Sequence, residues 1–259
     1  MNFLFAPTPR APHARAAQVA SWCLVVVLAT GLFSFAFAQL HYGWNWGAIW
    51  AYRQKFLQGW LMTLAISVAS LAASLLIGVA IALARRAHFL PLRYAATLYV
   101  EVIRGTPLLV QILILFYVVA NAFGLENRYL VGVLALSLFA GAYLAEMIRA
   151  GIESIRDSQL ESARAIGLTP AQTYRYVIFP QVVRQLVPPL AGQFASIIKD
   201  SSLLSIIAVS EFTLNAQEVN AFTYSTLESY LPLAAGYLLL TLPISLLGRV
   251  LERRFHFAA

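Results

Sequence analysis

The chain has 259 residues, of which 60% are hydrophobic and only 11% are charged, and its formal net charge is +7. Because a soluble domain carries about 25% charged residues, a chain this apolar cannot cover a globule with polar surface and is expected to lie in a membrane. The basic residues fall between apolar segments rather than in one patch, which argues against a nucleic-acid-binding protein.

Six apolar runs predict transmembrane helices, because a bilayer core about 30 Å thick requires about 20 apolar residues in helical form. The runs cover residues 18–39, 57–84, 96–121, 129–148, 186–209 and 229–249. Most are rich in Leu, Ile, Val and Ala without a two-residue alternation, which favours helices over barrel strands. The sequence therefore predicts an all-α integral membrane protein with about six transmembrane helices.

The first run has two interpretations. Basic residues precede it, and Ala36, Phe37 and Ala38 resemble a signal-peptidase site. The apolar stretch is longer than the roughly 7–15 residues of a signal peptide, so we expect a retained helix.

Tryptophans cluster after the first run, where four of the five fall within a short segment. Indole rings prefer the headgroup zone of a membrane, so residues 44–56 are expected to form an interfacial helix. The four residues are Trp44, Trp46, Trp50 and Trp60.

The distribution of Lys and Arg predicts the orientation of the six crossings. Thirteen arginines fall on one side, which the positive-inside rule identifies as the cytoplasm: Arg10, Arg15, Arg85, Arg86, Arg93, Arg149, Arg156, Arg164, Arg175, Arg184, Arg249, Arg253 and Arg254. The other side receives only Arg53, Lys55 and Arg128 as basic residues. Both termini are therefore expected in the cytoplasm.

Cysteine and histidine give no sign of a metal site. The single cysteine, Cys23, lies in an apolar run, which supports neither a disulfide framework nor a thiolate metal site. The histidines are scattered without metal-ligand spacing, and they are His13, His41, His88 and His256.

Residues 149–185 form the one long hydrophilic segment on the cytoplasmic side. Ser158 and Glu161 predict a capping box, and Gly167 is expected to end that helix in the left-handed conformation. Thr169, with Pro170 and Gln172, predicts the start of a second helix, which Pro180 is expected to end or kink. Short helices are marginal in water, so the first must pack either on the membrane domain or on a partner protein.

The chain then resembles a known family. Glu161-Ser162-Ala163, Gly167 and Val177-Ile178-Phe179-Pro180 are similar in spacing to the EAA loop of ABC-importer permeases. Ser162, Val177 and Phe179 depart modestly from the commonest residues of that loop. Three flanking blocks resemble the polar amino-acid branch of this family, and they cover residues 101–111, 143–149 and 198–203.

The resemblance covers about residues 57–254 and implies a type I permease domain there, with five of the helices in its core. Residues 1–56 would then be an N-terminal segment with one extra transmembrane helix. In such permeases the EAA loop, here with Glu161, Ser162, Ala163, Gly167 and Pro180, docks on a separate cytoplasmic ATPase. The resemblance also implies a second permease chain, identical or a sister, and an extracytoplasmic amino-acid-binding protein.

The chain itself is not expected to be an enzyme or to bind a cofactor. A Walker A loop requires Gly-x4-Gly-Lys-Ser/Thr, and the only lysines, Lys55 and Lys199, follow Gln54 and Ile198. ATP must therefore be hydrolysed by a partner subunit.

Charged residues inside the apolar runs are candidates for the substrate path. Lys199 and Asp200 lie within the fifth run, where a charge costs about 2.5–3.5 kcal/mol on insertion scales, so they should face protein or water. With Ser201 and Ser202 they either meet the substrate or form a structural ion pair. Glu101 and Arg104, three residues apart in the third run, either belong to the path or pair with each other at the interface.

Three function classes remain in view, and the charges of Lys199 and Asp200 within an apolar run argue against the third, a membrane scaffold without a transport role. The first is the permease subunit of an ATP-driven importer of a polar amino acid in the bacterial inner membrane. The alternative is a secondary transporter driven by an ion gradient, for which the EAA loop would have no evident task. The sequence does not identify which amino acid is carried.

Overall fold

A computed structural model describes residues 15–39 and 42–255, and all regular structure within these ranges is helical. The chain divides into two compact units between Trp44 and Asn45. The first unit contains α1 (Arg15–Ala38), whose span has a mean hydropathy of 2.1 and no buried residues. The first predicted apolar run is therefore a helix.

The second unit contains ten further α-helices within the described residues. They are α2 (Trp46–Ala51), α3 (Arg53–Ala84), α4 (Leu90–Gly105), α5 (Leu108–Ile114), α6 (Arg128–Glu153), α7 (Asp157–Ala165), α8 (Pro170–Thr173), α9 (Phe179–Asp200), α10 (Phe212–Thr223) and α11 (Thr226–Phe255). A π-helical turn, Leu115–Ala120, extends α5, and another, Tyr174–Ile178, joins α8 to α9. A 3-10 helix, Ser201–Ile207, follows α9.

Four helices in the described part of the chain are long and apolar enough to cross a membrane, namely the spans Ala16–Ala38, Arg53–Ala84, Arg128–Glu153 and Thr226–Arg253. The segments Leu90–Gly105 and Leu108–Ala120 make a fifth span if they are counted together, but they are bent by 114°. The prediction of one helix over 96–121 is therefore wrong. Thr106 is extended, with φ −122° and ψ 149°, because the proline that follows it disfavours helical conformation.

The predicted interfacial helix is shorter than residues 44–56. Only Trp46–Ala51 forms a separate helix, and Tyr52 separates it from α3, which begins at Arg53. The expected start of the permease domain at residue 57 thus falls in the first turns of α3.

The long helices α3 and α6 form the centre of the second unit, and small residues bring them close together. A Cβ atom on Gly78 would lie 2.7 Å from Cβ of Leu144, and one on Gly141 would lie 2.6 Å from Cγ2 of Ile77. Close approach at small residues is the usual basis of helix packing in membranes. Apolar surface alone hardly favours association of two helices there, because lipid is equally apolar.

A buried carboxylate ties three helices together near the start of α3. Glu211 caps α10 and accepts hydrogen bonds from the backbone N–H groups of Thr213 and Leu214, both at 2.8 Å. Its side chain also accepts from the hydroxyls of Tyr237 on α11, at 3.0 Å, and Thr63 on α3, at 3.3 Å. Burial raises the pKa of Glu211, and these hydrogen bonds oppose that rise.

Candidate functional site

The first separate helix of the hydrophilic segment is α7, which starts two residues earlier than a Ser158 cap would place it. Arg156 occupies the N-cap in extended conformation, with φ −64° and ψ 138°, and no side chain caps the helix. The predicted capping box of Ser158 and Glu161 is therefore wrong, because Ser158 lies within the first turn. The carbonyl of Ser158 instead accepts a hydrogen bond from the hydroxyl of Ser162, at 2.8 Å.

Gly167 ends α7 as predicted. Its φ of +80° is in the left-handed region, which glycine adopts without a side-chain clash. The N–H of Gly167 donates to the carbonyl of Arg164 at 2.9 Å, and the N–H of Leu168 donates to Ala163 at 3.0 Å. These two hydrogen bonds form a Schellman motif, which fixes the direction in which the chain leaves α7.

The second helix starts with the predicted capping box. Thr169 Oγ1 accepts from the N–H of Gln172 at 3.3 Å, and Gln172 Oε1 accepts from the N–H of Thr169 at 2.9 Å. The helix does not end at Pro180, because a π-helical turn precedes it and α9 then continues. In a π turn each carbonyl accepts from the N–H five residues later rather than four. The turn can therefore leave out the N–H group that Pro180 lacks, and the chain continues as a helix.

This segment presents apolar side chains outside the apolar runs. Ile166, Tyr176 and Phe179 are 76%, 64% and 59% exposed. Glu161 and Ser162 are also exposed, whereas Ala163 is buried against the rest of the segment. Large apolar side chains exposed outside the apolar runs are typical of a protein docking face. We call residues 156–181 the coupling segment.

The coupling segment also contains an open groove of about 400 Å³ between α7 and the helix that follows Thr169. A hydrogen bond of 2.8 Å from Gln181 Nε2 to Gln159 Oε1 connects the two walls. The groove is lined by Ser158, Gln159, Ser162, Ala163, Ile166, Leu168, Tyr176, Val177 and Gln181.

A second polar region lies at the other end of α3 from Glu211, where Glu146 of α6 meets arginines from three helices. Arg85, the C-cap residue of α3, lies 2.7 Å from Glu146 Oε2, and Arg149 of α6 lies 2.6 Å from Oε1. Arg104 of α4 is more distant, at 3.7 Å, and its guanidinium lies over the ring of Tyr143, 5.5 Å from the centroid. We call Arg85, Arg104, Glu146 and Arg149 the Glu146 cluster.

The cluster corrects the pairing expected for Glu101 and Arg104. Among the described residues, the ion pair of Arg104 is with Glu146 rather than with Glu101, which is exposed. Glu146 is the residue that joins α3, α4 and α6. The sequence carried one local signal, since Glu146 and Arg149 are three residues apart on a helix.

Replacing Glu146 with glutamine is expected to destabilise the contact among α3, α4 and α6 by about 1–3 kcal/mol, because three arginines lose their shared carboxylate. The melting temperature of the purified protein in detergent should fall. Glu153→Gln is the matched control, because Glu153 is 55% exposed and its ion pair among the described residues is with Arg149. A surface pair of that kind contributes about 0–1 kcal/mol. Equal effects of the two changes would contradict the role of Glu146.

The charged pair in the fifth run lies where the α-helix ends. Helix α9 stops at Asp200, and Ala208, at the end of the following 3-10 helix, is left-handed, with φ 57°. The predicted continuous run over 186–209 is therefore wrong beyond Asp200. Lys199 is exposed and Asp200 is partly buried.

The serines that follow are bonded to the backbone. The hydroxyl of Ser201, which is buried, donates to the carbonyl of Ile198 at 2.8 Å, and Ser202 donates to Lys199 at 2.7 Å. Such bonds are typical of serine in a helix and leave only an acceptor lone pair for another molecule. Ser202 is partly exposed and Ser201 is not.

Of the residues predicted for the coupling segment, Glu161, Ser162, Gly167 and Pro180 are exposed and Ala163 is buried. Among the described residues, the ion pairs do not join the Glu146 cluster to Lys199 or Asp200. Within the same ranges, acidic, cysteine and histidine side chains form no group of three that could hold a metal ion. His13, His41 and His256 lie outside the described residues, as does Arg10.

Comparison with known proteins gives consistent matches. Residues 74–257 match the family described as binding-protein-dependent transport system inner membrane component. The chain is 37% identical to a glutamine transport system permease protein of Escherichia coli (strain K12) over 212 residues, which are 81% of this chain and 97% of that protein. It is 39% identical to an L-cystine transport system permease protein of Bacillus subtilis (strain 168) over 193 residues, covering 74% and 82% of the two chains.

A solved structure is similar over most of the chain. The crystal structure of an amino acid ABC transporter with histidines contains a chain that superposes with a TM-score of 0.77 at 36% sequence identity. The match covers 82% of this chain and 100% of the other.

Proposed function

The chain belongs to the family of binding-protein-dependent transport system inner membrane components, and from this we propose that it is the membrane-spanning permease subunit of an ATP-driven importer of a polar amino acid. Members of this family are transport permeases rather than enzymes. They bind no cofactor themselves, and a partner ATPase uses the ATP. The alternative of a secondary transporter has no support from the relatives.

The coupling segment is the observation that carries this proposal. A helix of nine residues outside the membrane is marginal by itself, yet this one ends in a Schellman motif and is followed by a complete capping box. Its exposed Ile166 and Tyr176 offer apolar surface to a partner. We assign Glu161, Ser162, Ala163, Gly167 and Pro180 to the attachment of the ATPase.

The family implies two kinds of partner, an ATPase and an extracytoplasmic binding protein. We propose that a second permease chain, identical or a sister, completes the path across the membrane. The arginine distribution supports a location of both termini in the cytoplasm of a bacterial cell. With that orientation the coupling segment and the Glu146 cluster face the cytoplasm, and Glu211 lies toward the outside.

For the substrate path we propose Lys199, Asp200 and Ser202, with Glu101 and Arg104 from α4. Ser201, although proposed from the sequence, is buried and supports the backbone. A zwitterionic amino acid needs one group that accepts its ammonium and one that binds its carboxylate. Asp200 and Lys199 supply such groups at one point of α9, and the exposure of Lys199 supports access from a water-filled path.

The proposed function is tested with the complete transporter, reconstituted with its ATPase and binding protein in vesicles. ATP-dependent uptake of labelled glutamine, cystine, arginine or glutamate is the expected result, with one of the four preferred. Uptake that needs an ion gradient and persists without the ATPase would instead identify a secondary transporter.

Asp200→Ala is expected to reduce uptake at least about tenfold, because a charge-assisted hydrogen bond contributes about 1.5–3 kcal/mol. The amount of assembled complex should stay unchanged. Glu126→Gln, which removes an exposed charge before α6, is the control. Normal uptake by Asp200→Ala in assembled complex would exclude Asp200 from the path.

A further inference from the structure

The break between α4 and α5 leaves the last turn of α4 with little packing of its own. The buried residues of α4 are Ala96 and Val100, which both lie before this turn. In residues 101–107 all but Ile103 are exposed. Contacts other than apolar burial are therefore needed to fix the direction of the turn, which carries Arg104.

The carbonyls at the end of α4 lose their usual donors at the break. A helical carbonyl accepts from the N–H group four residues later, and for Ile103 that residue is Pro107, which has no N–H group. For Val102 the residue is Thr106, whose backbone is extended rather than helical. The hydroxyl of Thr106 instead donates to the carbonyl of Val102, at 2.8 Å. The carbonyl of Ile103 therefore needs a donor from another part of the chain.

Gln111 of α5 supplies that donor across the break. Its Nε2 lies 2.7 Å from the carbonyl oxygen of Ile103, 3.1 Å from that of Thr106 and 2.8 Å from Thr106 Oγ1. The hydroxyl hydrogen of Thr106 is directed to Val102, so all three oxygens act as acceptors for Gln111. An amide NH2 group has two hydrogens, so one can bond Ile103 while the two oxygens of Thr106 share the other. Gln111 thereby caps α4 with a side chain from the next helix.

The helix that carries Gln111 is itself anchored in the main apolar core. Leu108 and Ile112 of α5 are 8% and 0% exposed and belong to one packed cluster with Ile197 and Leu204. These last two residues lie on either side of the charged pair in the fifth run. Packing therefore holds the backbone of Gln111 in place, whereas the turn that Gln111 bonds has little packing of its own.

We propose that Gln111 is a positioning residue of the substrate path. By donating across the break it fixes the last turn of α4, and with it Arg104, relative to α5 and to the cluster that flanks Asp200. The guanidinium of Arg104 lies over Tyr143 and is 3.7 Å from Glu146, and a long, partly exposed pair of this kind gives little orientation by itself. The inference rests on the proposed function, in which Arg104 and Asp200 belong to one path.

The position of Arg104 matters because a guanidinium binds a carboxylate through paired, directional hydrogen bonds. Without the donors of Gln111, the last turn of α4 can rotate at Gly105, where a Cβ atom would meet no other atom within 4 Å. The ATPase attaches elsewhere, through the proposed coupling segment. ATP hydrolysis should therefore continue while each cycle carries the amino acid less often.

The test uses the complete transporter in vesicles, with the labelled amino acid that the wild type imports best among glutamine, cystine, arginine and glutamate. Uptake and ATP hydrolysis are measured together. Gln111→Met retains the length of the side chain and removes its donors. Uptake per ATP hydrolysed should fall at least about fivefold, as expected for the loss of a pair of neutral hydrogen bonds. Hydrolysis by the assembled complex should stay within about twofold of the wild type.

The matched control is Thr97→Val on the same helix. The hydroxyl of Thr97 donates to the carbonyl of Arg93 at 2.9 Å, so its bond also joins a side chain to the backbone of α4 but does not cross the break. Its removal should leave both uptake and hydrolysis unchanged.

A second variant separates the donors of Gln111 from its shape. Gln111→Glu has nearly the same shape but presents acceptor oxygens to the carbonyls of Ile103 and Thr106. Its uptake per ATP should fall at least as far as that of Gln111→Met. A variant of equal shape that transported normally would show that packing, not donation, is the role of this side chain.

A double variant tests whether Gln111 acts through Arg104. Arg104→Gln alone should reduce uptake per ATP, and Gln111→Met/Arg104→Gln should reduce it no further, because residues that act as one unit do not have additive effects. A side chain that only stabilised the fold would instead lower uptake further in the double variant.

Three further results would overturn the positioning role while leaving the proposed function in place. The first is uptake per ATP in Gln111→Met within about twofold of the wild type. The second is an equal fall of uptake and hydrolysis, which would assign Gln111 to assembly. The third is normal uptake per ATP by Arg104→Gln. Absence of ATP-dependent uptake by the wild type would overturn the proposed function itself, and the inference with it.

Discussion

Replacing Gly167 with valine is expected to reduce ATP-dependent uptake at least about tenfold and to remove the ATPase from the purified complex. Gly167 has a φ of +80°, where a β-branched residue is strained by about 1–3 kcal/mol. The strain would open the Schellman motif, so that α7 and the helix beginning at Thr169 no longer keep their relative direction. The proposed docking face, with the exposed Ile166 and Tyr176, would then be lost without any change in its own residues.

The matched control for this change is Gly167→Asn, because asparagine tolerates the left-handed conformation and often ends helices. It should retain most of the uptake and the copurifying ATPase. A Cβ atom at residue 167 would meet no other atom within 4 Å, so the two variants differ in backbone strain rather than in crowding. Equal behaviour of Gly167→Val and Gly167→Asn would contradict the importance of the bend.

The bend was predictable because its signals are local. Gly167 and the Thr169–Gln172 box act through hydrogen bonds that span only a few residues, and both have the predicted form. The capping box predicted at Ser158 is wrong, and the reason is also local. Arg156 adopts the extended conformation that a helix start requires, so α7 begins before the serine that the pattern identified.

The apolar runs predicted the long helices but did not predict where those helices are interrupted. Hydropathy averages over a window, so residues 96–121 read as one segment although Thr106 and Pro107 divide it. The same averaging concealed the end of α9 at Asp200, beyond which the chain changes to a 3-10 helix. Local breakers such as Pro107 therefore have to be given more weight than the mean apolar character of their neighbours.

The long-range polar contacts could not be predicted from the sequence patterns. Arg85 and Glu146 are 61 residues apart, and Thr63 and Glu211 are 148 residues apart. Glu211 lies between the fifth and sixth apolar runs, and no local pattern marks it as buried. Its burial depends on how α3, α10 and α11 pack, which no local periodicity encodes. These two carboxylates hold α3 near its opposite ends, and they make it a fixed element against which α4 and α11 are positioned.

Glu211→Ala should destabilise the folded protein by about 3 kcal/mol or more, because four buried or partly buried donors lose their acceptor and α10 loses its N-cap. A lower melting temperature in detergent and a smaller yield of assembled transporter are the expected measurements. Glu211→Gln should be intermediate. Its amide keeps one acceptor oxygen, but its NH2 group faces the N–H of Thr213 or Leu214, where two donors oppose each other.

The control for this prediction is Glu218→Ala, on the same helix as Thr213. Glu218 forms a partly exposed ion pair with Lys55, at 2.5 Å, and such pairs contribute about 0–1 kcal/mol. Its removal should therefore leave the melting temperature nearly unchanged. If Glu211→Ala melted like Glu218→Ala, the carboxylate would not be holding α3, α10 and α11 together. A large fall in melting temperature for Glu211→Ala but not for Glu218→Ala would indicate that one buried acceptor stabilises this end of the protein more than its apolar contacts do.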